Sequence, residues 1–182
     1  MSQIRQYHIK GPVLLTLNKY ADSRGFFTER YKEDYKKLLG VTTNFVQDNF
    51  SRSTKNVVRG LHMQHSPGQG KLVSCVNGEI LDVVVDIRKN SPTYGQHISV
   101  TLKGDEPSLF WIPAGFAHGF SVISDTADVL YKVDCHYCAK NEMSIKWNDA
   151  DLKIDWKVTQ AVVSDKDNAS PSFKDYSEKP VF

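Results

Sequence analysis

Short apolar runs separated by turn-forming residues cover most of this sequence. The runs are rich in β-branched and aromatic residues, and no repeated helical pattern of about ten to fifteen residues lies between them. This arrangement predicts an all-β protein, either a sandwich or a closed barrel, and a jelly roll is the favoured form. The predicted strands lie at 13–17, 26–31, 44–52, 57–63, 71–76, 79–87, 96–102, 108–112, 119–123 and 128–133.

Two local patterns refine this strand assignment. Asn77-Gly78 between two apolar runs is a strong signal for a tight hairpin. In the run that follows, the alternation of a strand places Asp82 and Asp86 on one face, whereas the opposite face is aliphatic. A carboxylate on so apolar a strand is costly to bury alone, so we expect a partner for Asp82.

Two short helices are predicted at the periphery. The segment 32–39 has acidic residues early, lysines late and Gly40 as a C-terminal stop. In the last segment, 156–182, Ser164 is placed as the N-cap of a second helix, which a polar tail follows. We expect this segment to cover one end of the barrel.

Length and charge narrow the functional classes. The 182 residues, 40% of them hydrophobic, suffice for one sizeable core, so we predict a single domain spanning 1–182. The formal charge of +2 comes from scattered residues, which argues against nucleic acid or a membrane surface as a partner. The N-terminal residues lack the apolar core of a signal peptide, and no apolar run has membrane-spanning length, so we expect a cytoplasmic protein.

The three cysteines argue against a disulfide framework, because the count is odd and the chain is large enough to be stable without cross-links. Cys135 and Cys138 form a C-x-x-C pattern, which occurs in redox pairs and zinc sites. The sequence supplies neither two further zinc ligands at suitable spacing nor the helix N-terminus that such a redox pair needs. We therefore interpret both as incidental strand cysteines.

The candidate chemistry is concentrated in residues 59–71. This stretch has one imidazole on a predicted strand, His62, with the cations Arg59 and Lys71 on either side and a polar Gly/Pro loop. A lone histidine on a strand is more often structural than catalytic. His118, however, begins a neighbouring predicted strand after a rigid Pro/Gly corner. Two histidines on neighbouring strands make a cavity site more credible than either alone.

The same residues argue against a metal site. The spacing P-x-G-x-x-H that ends at His118 resembles the second motif of the cupins, whose barrels commonly hold a metal on three histidines and one glutamate. In the first cupin motif, which supplies H-x-H and a glutamate, Gln64 stands at the second ligand position, and Lys71 cannot ligate while protonated. His62 and His118 alone are too few, so we predict a barrel without metal or other cofactor.

The remaining groups suit proton transfer next to a carbonyl. A histidine can remove a carbon-bound proton while a cation stabilises the enolate oxygen that develops. Inversion of a stereocentre also needs an acid that returns a proton from the opposite face. Tyr131 is a candidate because a phenol is neutral at pH 7 and can donate. The structural alternative is a core tyrosine whose hydroxyl is satisfied.

Ordered matches along nearly the whole chain carry a specific resemblance. The sequence resembles the dTDP-4-dehydrorhamnose 3,5-epimerases, the cupin enzymes of dTDP-L-rhamnose synthesis. This resemblance implies a cupin jelly-roll barrel with a few short peripheral helices. The matching segments are 22–29, 47–51, 59–62, 69–73, 78–83, 91–95, 112–120 and 147–149.

The resemblance implies a role in catalysis for several residues. The family's base falls on His62, the carboxylate paired with it on Asp167, and the acid on Tyr131. Lys71 is the implied stabiliser of the enolate. His118 matches a position that holds the keto-sugar.

Further substrate contacts are implied within the same pocket. Asp82 matches a polar pocket residue near Lys71 and His118, which would give this strand carboxylate its partner. Arg59, Gln47 and Asn49 match contacts to the diphosphate and the sugar. The bidentate donors of a guanidinium suit such a role.

The resemblance also implies a second subunit. Arg24, Phe26 and Glu29 match nucleotide-side residues that the family supplies from the other subunit, and Tyr137 matches an aromatic residue at the nucleotide end. The implied assembly is a homodimer with strand exchange.

The implied activity is inversion of C3 and C5 of dTDP-4-keto-6-deoxy-D-glucose to give dTDP-4-keto-L-rhamnose, by enolate chemistry without a metal. It would serve dTDP-L-rhamnose biosynthesis and so the cell-envelope polysaccharide. Three alternatives stay open on the sequence. They are an epimerase that inverts only C3 or C5 of a related nucleotide keto-deoxysugar, a non-catalytic cupin that binds a nucleotide sugar, and a metal-dependent cupin oxygenase.

Overall fold

Antiparallel strands form most of the molecule. The structure is a computed structural model, and it describes residues 3–182. Its helices are α1 (Asp34–Leu39), α2 (Asp165–Asn168) and α3 (Phe173–Glu178), with a 3-10 turn at Ala139–Asn141. Its strands are β1 (Gln3–Gln6), β2 (Val13–Thr16), β3 (Tyr20–Asp22), β4 (Gly25–Phe27), β5 (Gln47–Thr54), β6 (Val58–Gln64), β7 (Lys71–Asn77), β8 (Glu79–Asp86), β9 (His97–Lys103), β10 (Ser108–Ile112), β11 (Phe116–Val122), β12 (Thr126–Val133) and β13 (Glu142–Ser144).

Two sheets face each other and enclose the core. The six-stranded sheet has the order β1-β2-β10-β7-β12-β5, and the five-stranded sheet has the order β13-β6-β11-β8-β9. Strands β3 and β4 form a separate hairpin. The predicted all-β jelly roll is thus confirmed. Among the helices in the described part of the chain, none has the length and apolar character needed to cross a bilayer.

The alternation along each strand divides the apolar side chains among three clusters. Inward residues of both sheets, such as Val73, Val84 and Phe110, form the barrel core. The outer face of the six-stranded sheet is covered by α1, and the outer face of the five-stranded sheet by the chain after β13. The alternation predicted for β8 is confirmed, because its aliphatic face packs outward while Asp82 shares the inward face with Val84.

The predicted hairpin at Asn77-Gly78 is wrong. Strand β7 pairs with β10 and β12, whereas β8 pairs with β9 and β11 in the other sheet. Both edges of each strand are therefore occupied by other partners. Gly78 has a φ of +76°, and the chain uses this left-handed residue to pass from one sheet to the other.

The C-terminal segment differs from the expectation in two ways. We expected it over one end of the barrel, but Trp156 and Tyr176 pack on the outer face of the five-stranded sheet. The predicted cap is confirmed, because the Ser164 side chain accepts a hydrogen bond from the Asp167 N–H. The predicted polar tail is wrong, because it contains α3, which begins with a capping box at Ser172.

The remaining differences concern strands that were not predicted and strand boundaries. Strands β1, β3 and β13 had no prediction, and the strand predicted at 26–31 contracts to β4. Helix α1 ends as predicted, with Gly40 in the left-handed conformation. His118 does not begin its strand but is the third residue of β11. It therefore lies within the barrel wall rather than at its rim.

A close approach of β6 and β11 at Gly60 shapes the strand that carries His62. His118 lies opposite His62 and Phe120 opposite Arg59, so β6 has one residue more than β11 between the two pairs. Gly60 has a φ of +134°, and a Cβ there would lie 2.6 Å from the Cα of Gly119. This bulge therefore requires glycine on β6.

A comparison of two glycines tests this requirement. Gly25 has nearly the same φ, +131°, but a Cβ there would meet nothing within 4 Å. We expect Gly60→Ala to lower the free energy of unfolding by about 3 kcal/mol or more and Gly25→Ala by about 1 kcal/mol. Urea denaturation followed by circular dichroism measures both. Equal losses would mean that the φ angle, rather than the contact with β11, sets the cost.

Candidate active site

A cavity of about 250 Å³ opens between the two sheets. Inward-facing positions at the ends of β5, β6, β7 and β12 supply most of its wall. A larger cavity of about 530 Å³ is lined mainly by the loop after β8 and by basic residues near the N-terminus, without paired acid–base groups. The smaller cavity is the candidate site, and its lining residues are Gln47, Asn49, His62, Met63, Gln64, Gln69, Lys71, Tyr131, Tyr137 and Glu142.

His62 and Asp167 form a hydrogen-bonded pair at this cavity. His62 Nε2 lies 2.7 Å from Asp167 Oδ1, and the Gly60 N–H donates to Asp167 Oδ2 at 3.2 Å. Burial by itself raises the pKa of Asp167, but the hydrogen bond and charge of His62, together with the Gly60 N–H, outweigh it and leave this pKa below its usual value. The carboxylate is therefore ionised and fixes the orientation of the imidazole.

A second imidazole–carboxylate pair lies deeper in the barrel. His118 Nε2 is 2.8 Å from Asp82 Oδ2, and both side chains are buried. Burial raises the pKa of Asp82 and lowers the pKa of His118, so each shift favours the neutral form. Asp82 Oδ1 has no hydrogen-bond partner among the described residues. The expected partner of the strand carboxylate is thus His118.

Lys71 is a buried cation at the start of β7. Its Nζ donates to the His62 carbonyl oxygen at 3.4 Å. Burial lowers the pKa of Lys71 to about 8, although the negative charges of Asp82 and Glu142 act in the opposite direction. At pH 7 most of the ammonium is still protonated, and it is poorly solvated. Such a group can stabilise an oxyanion strongly.

Tyr131 enters the cavity from the sheet opposite His62. It lies on β12, beside Asn49 of β5 and Val73 of β7, and its ring packs against the barrel core. Burial raises the pKa of the Tyr131 phenol, which the positive charge of Arg59 partly offsets. The phenol is therefore protonated near neutral pH and can act as a donor.

The predicted substrate contacts fall into two groups. Gln47 and Asn49 line the cavity and are joined by a hydrogen bond of 2.8 Å. Tyr137 also lines it, largely exposed, and its hydroxyl donates to Glu142 at 2.8 Å. Arg59 is not among the lining residues, and its Nε donates to Ser53 at 3.0 Å.

Three predicted nucleotide contacts are not brought to this cavity by the chain itself. Arg24 and Phe26 lie on the exposed β3–β4 hairpin, and Glu29 follows it. Arg24 forms an ion pair with Asp22 at 2.6 Å, and Glu29 pairs with Lys32 at 3.1 Å. A single chain therefore leaves this part of the predicted site incomplete.

The structure adds residues that the sequence analysis did not identify. Gln64, the second residue after His62, faces the same way, and the period of two could have found it. Glu142 lies opposite Gln64 on the three-residue strand β13 and accepts hydrogen bonds from Lys166 at 2.6 Å and from Tyr137. So short a strand has no alternation that a sequence could reveal. Gln69 comes from the loop between β6 and β7.

The described residues, 3–182, contain no group of three or more histidine, cysteine or acidic side chains placed to hold a metal ion. Cys75, Cys135 and Cys138 are free thiols. Burial raises the pKa values of Cys75 and Cys135, so both thiols stay protonated near neutral pH.

The arrangement of an oriented imidazole, a buried ammonium and a phenol can be compared with known proteins. A family model described as dTDP-4-dehydrorhamnose 3,5-epimerase matches residues 6–175, a range that includes every residue lining the cavity. The chain belongs to this epimerase family. It is accordingly an isomerase, and its fold is the predicted cupin-type jelly roll.

Individual relatives agree with the family assignment. The dTDP-4-dehydrorhamnose 3,5-epimerase of Shigella flexneri is 47% identical over 158 residues, which cover 86% of this chain and 87% of that protein. The crystal structure of dTDP-6-deoxy-D-glucose-3,5-epimerase from Legionella pneumophila, in complex with dTDP-4-keto-L-rhamnose, matches with a TM-score of 0.92 and 46% identity, covering 96% of this chain and 94% of that one.

A more distant epimerase shares the fold. The 3'-monoepimerase from Streptomyces bikiniensis, in complex with dTDP-quinovose, matches with a TM-score of 0.88 and 28% identity. The match covers 96% of this chain and 89% of the monoepimerase. The fold of this chain is therefore also similar to that of an enzyme named a monoepimerase.

Proposed function

We propose that this epimerase inverts C3 and C5 of dTDP-4-keto-6-deoxy-D-glucose to give dTDP-4-keto-L-rhamnose, the ketone from which dTDP-L-rhamnose is made. One observation carries the proposal. His62 on β6 and Tyr131 on β12 enter the cavity from the two facing sheets. A sugar ring between them would present one face to a base and the other to an acid, as inversion requires.

The proposed steps follow from the acidity of the carbons beside the C4 carbonyl. Neutral His62, oriented by Asp167, takes the proton from C5, and the C–H electron pair moves into the enolate. Lys71 stabilises the enolate oxygen by charge and hydrogen bonding. Tyr131 then gives its proton to C5 from the opposite face, and proton exchange with solvent restores both groups. His62 removes the C3 proton in the same way, and a proton that comes from solvent returns to C3 from the opposite face.

The His118–Asp82 pair and the cavity rim suit the rest of such a substrate. We place the His118–Asp82 pair near the keto-sugar, and Gln47, Asn49 and Arg59 toward the sugar and diphosphate. The exposed aromatic ring of Tyr137 lies at the rim, where a thymine base could stack on it.

We further propose that the protein is a homodimer whose partner chain completes the site. The β3–β4 hairpin pairs with neither main sheet and exposes Tyr20, Phe26 and Phe27. Such an apolar patch suits docking on another subunit, and Arg24 and Glu29 would then reach the partner's nucleotide. Sedimentation equilibrium should give twice the chain mass of 20.6 kDa, and a monomer mass would refute the dimer.

Solvent deuterium exchange tests the proposed reaction. In D2O, the wild-type enzyme should introduce deuterium at both C3 and C5 of the dTDP-linked substrate, because each inversion passes through an enolate. Nuclear magnetic resonance reads the label at each carbon. Label at one carbon only would assign a single-centre epimerase, and binding without label would assign a nucleotide-sugar-binding protein.

The pKa of Lys71 predicts how the rate depends on pH. Because the pKa of this group is about 8, kcat/KM should fall as the pH rises through 8, approaching a tenfold loss per pH unit as Lys71 becomes neutral. Lys71→Arg is the control, since a guanidinium stays charged at these pH values. That variant should lose the alkaline decline even if its rate is lower. A decline that persists would belong to another group.

A further inference from the structure

The side-chain amide of Gln64 is buried beneath the loop that carries Tyr137. Gln64 is 4% exposed, although it lines the cavity. Its Nε2 donates to Cys135 Sγ at 3.1 Å and to the His136 carbonyl oxygen at 3.2 Å, and its Oε1 accepts from the Cys138 N–H at 2.8 Å. An amide has two N–H donors, so both point to this loop. Gln64 thus contacts the residues on both sides of Tyr137.

Gln69 and Gly70, in the turn that follows β6, form hydrogen bonds to the first residues of the same loop. Gln69 Nε2 donates to the Cys135 carbonyl oxygen at 2.9 Å, and the Gly70 N–H donates to Asp134 Oδ1 at 2.7 Å. From the loop's other side, the Tyr137 N–H donates to Gln47 at 3.4 Å. The loop 134–138 is therefore shaped by contacts to the strand and turn that follow His62.

We propose that Gln64 is a positioning residue for substrate binding, which acts by fixing the place of Tyr137 at the cavity rim. This inference rests on the proposed function, in which the Tyr137 ring contacts the nucleotide. The amide links the base-bearing strand β6 to the nucleotide-binding loop. Without it, the Cys138 N–H and the His136 carbonyl oxygen would lose these partners, and the loop would move to find others.

The hydrogen bonds of Gln64 also distinguish a positioning role from direct contact with the substrate. Both N–H groups of Gln64 are occupied by the loop, and its oxygen already accepts a hydrogen bond. A substrate acceptor would have to compete with the loop for these N–H groups. The effect of Gln64 on binding should therefore depend on the presence of Tyr137.

A double-mutant cycle tests this dependence. Gln64→Met keeps the length of the side chain but removes its hydrogen bonds, and we expect the Kd for dTDP and the KM for substrate to rise about tenfold while kcat changes less than about threefold. In a Tyr137→Ala background, the same substitution should weaken dTDP binding no further. Additive losses, or a fall in kcat at unchanged KM, would overturn the positioning role.

Thiol labelling gives a second measurement that does not depend on substrate. Cys135 and Cys138 lie in the loop, so iodoacetamide should modify them about tenfold faster in Gln64→Met when peptides are followed by mass spectrometry. Gln96→Met, a substitution of an exposed glutamine before β9, should leave the labelling rate unchanged. Unchanged labelling in Gln64→Met would overturn the proposal.

The two measurements keep the two proposals apart. If the wild type binds neither dTDP nor the substrate, the proposed function fails, and labelling still reports whether Gln64 holds the loop. If the wild type binds and turns over substrate but Gln64→Met labels like the wild type, only the positioning role fails.

Discussion

Replacing His62 with alanine is expected to lower kcat/KM by about 10³- to 10⁴-fold, because the substitution removes the base from both enolisation steps. Asp167 and Lys71 cannot replace it. The Asp167 carboxylate is 5% exposed and lies behind the imidazole, and Lys71 is mainly protonated at neutral pH. In D2O, the variant should introduce label at neither C3 nor C5 on the timescale of wild-type turnover.

The control for this variant is a histidine from the same stretch. His65 follows β6, where its Nδ1 lies 3.3 Å from the Ser66 hydroxyl, and it does not line the cavity. His65→Ala should therefore exchange and turn over substrate at close to the wild-type rate. Circular dichroism must show that both variants fold, because His62→Ala also removes a partner of the buried Asp167. A folded His62→Ala protein that still exchanged normally would refute the assignment of the base.

The strands could be predicted because successive side chains point alternately to the two faces of the barrel wall, which gives the sequence a period of two. The runs at 71–76, 79–87 and 108–112 become β7, β8 and β10 with little change. The connection between two of them could not be predicted. Asn77-Gly78 has the composition of a hairpin turn, but pairing is decided by which strands complete each sheet. The sequence neighbours β7 and β8 thus lie in different sheets.

The hydrogen-bonded pair of His62 and Asp167 shows why a resemblance contributed what spacing could not. His62 and Asp167 are separated by 105 positions, and no pattern in the sequence joins them. The structure shows the physical link. The cap at Ser164 starts α2, and the N–H of Gly60, in the bulge of β6, donates a hydrogen bond to the Asp167 carboxylate of α2. The cap at Ser164 and the glycine at position 60 are both local features of the sequence. Whether they come close in space depends on how the C-terminal segment packs.

The predicted substrate contacts differ in how well the sequence of one chain could locate them. Gln47 and Asn49 are two positions apart on β5, so the period of two could place both side chains on one face of the strand. Arg24, Phe26 and Glu29 lie in and after an exposed hairpin, where no alternation or burial marks them. The role proposed for them depends on contacts with a second subunit, which the sequence pattern of one chain does not reveal.

Tyr131→Phe is expected to separate proton removal from inversion. The substitution keeps the ring that packs against the barrel core but removes the hydroxyl that we propose as the proton donor on the side opposite His62. Inversion at C5 should fall by about 10²- to 10⁴-fold, the usual contribution of a general acid. Deuterium should still enter C5 in D2O, because protonated His62 can return a deuteron to the face from which it took the proton. The product would carry label at C5 without the change of configuration.

Tyr7→Phe is the matched control for this experiment. Tyr7 also packs against the barrel core, and its buried hydroxyl has no hydrogen-bond partner among the described residues. Removing that hydroxyl should change neither exchange nor inversion. Nuclear magnetic resonance of the C5 proton and of the product's stereochemistry measures both in one sample. If Tyr131→Phe lost label and inversion to the same extent, the phenol would act in enolate formation itself. If inversion at C5 stayed at the wild-type rate, another group would have to be the acid, since His62 reaches only one face of the ring.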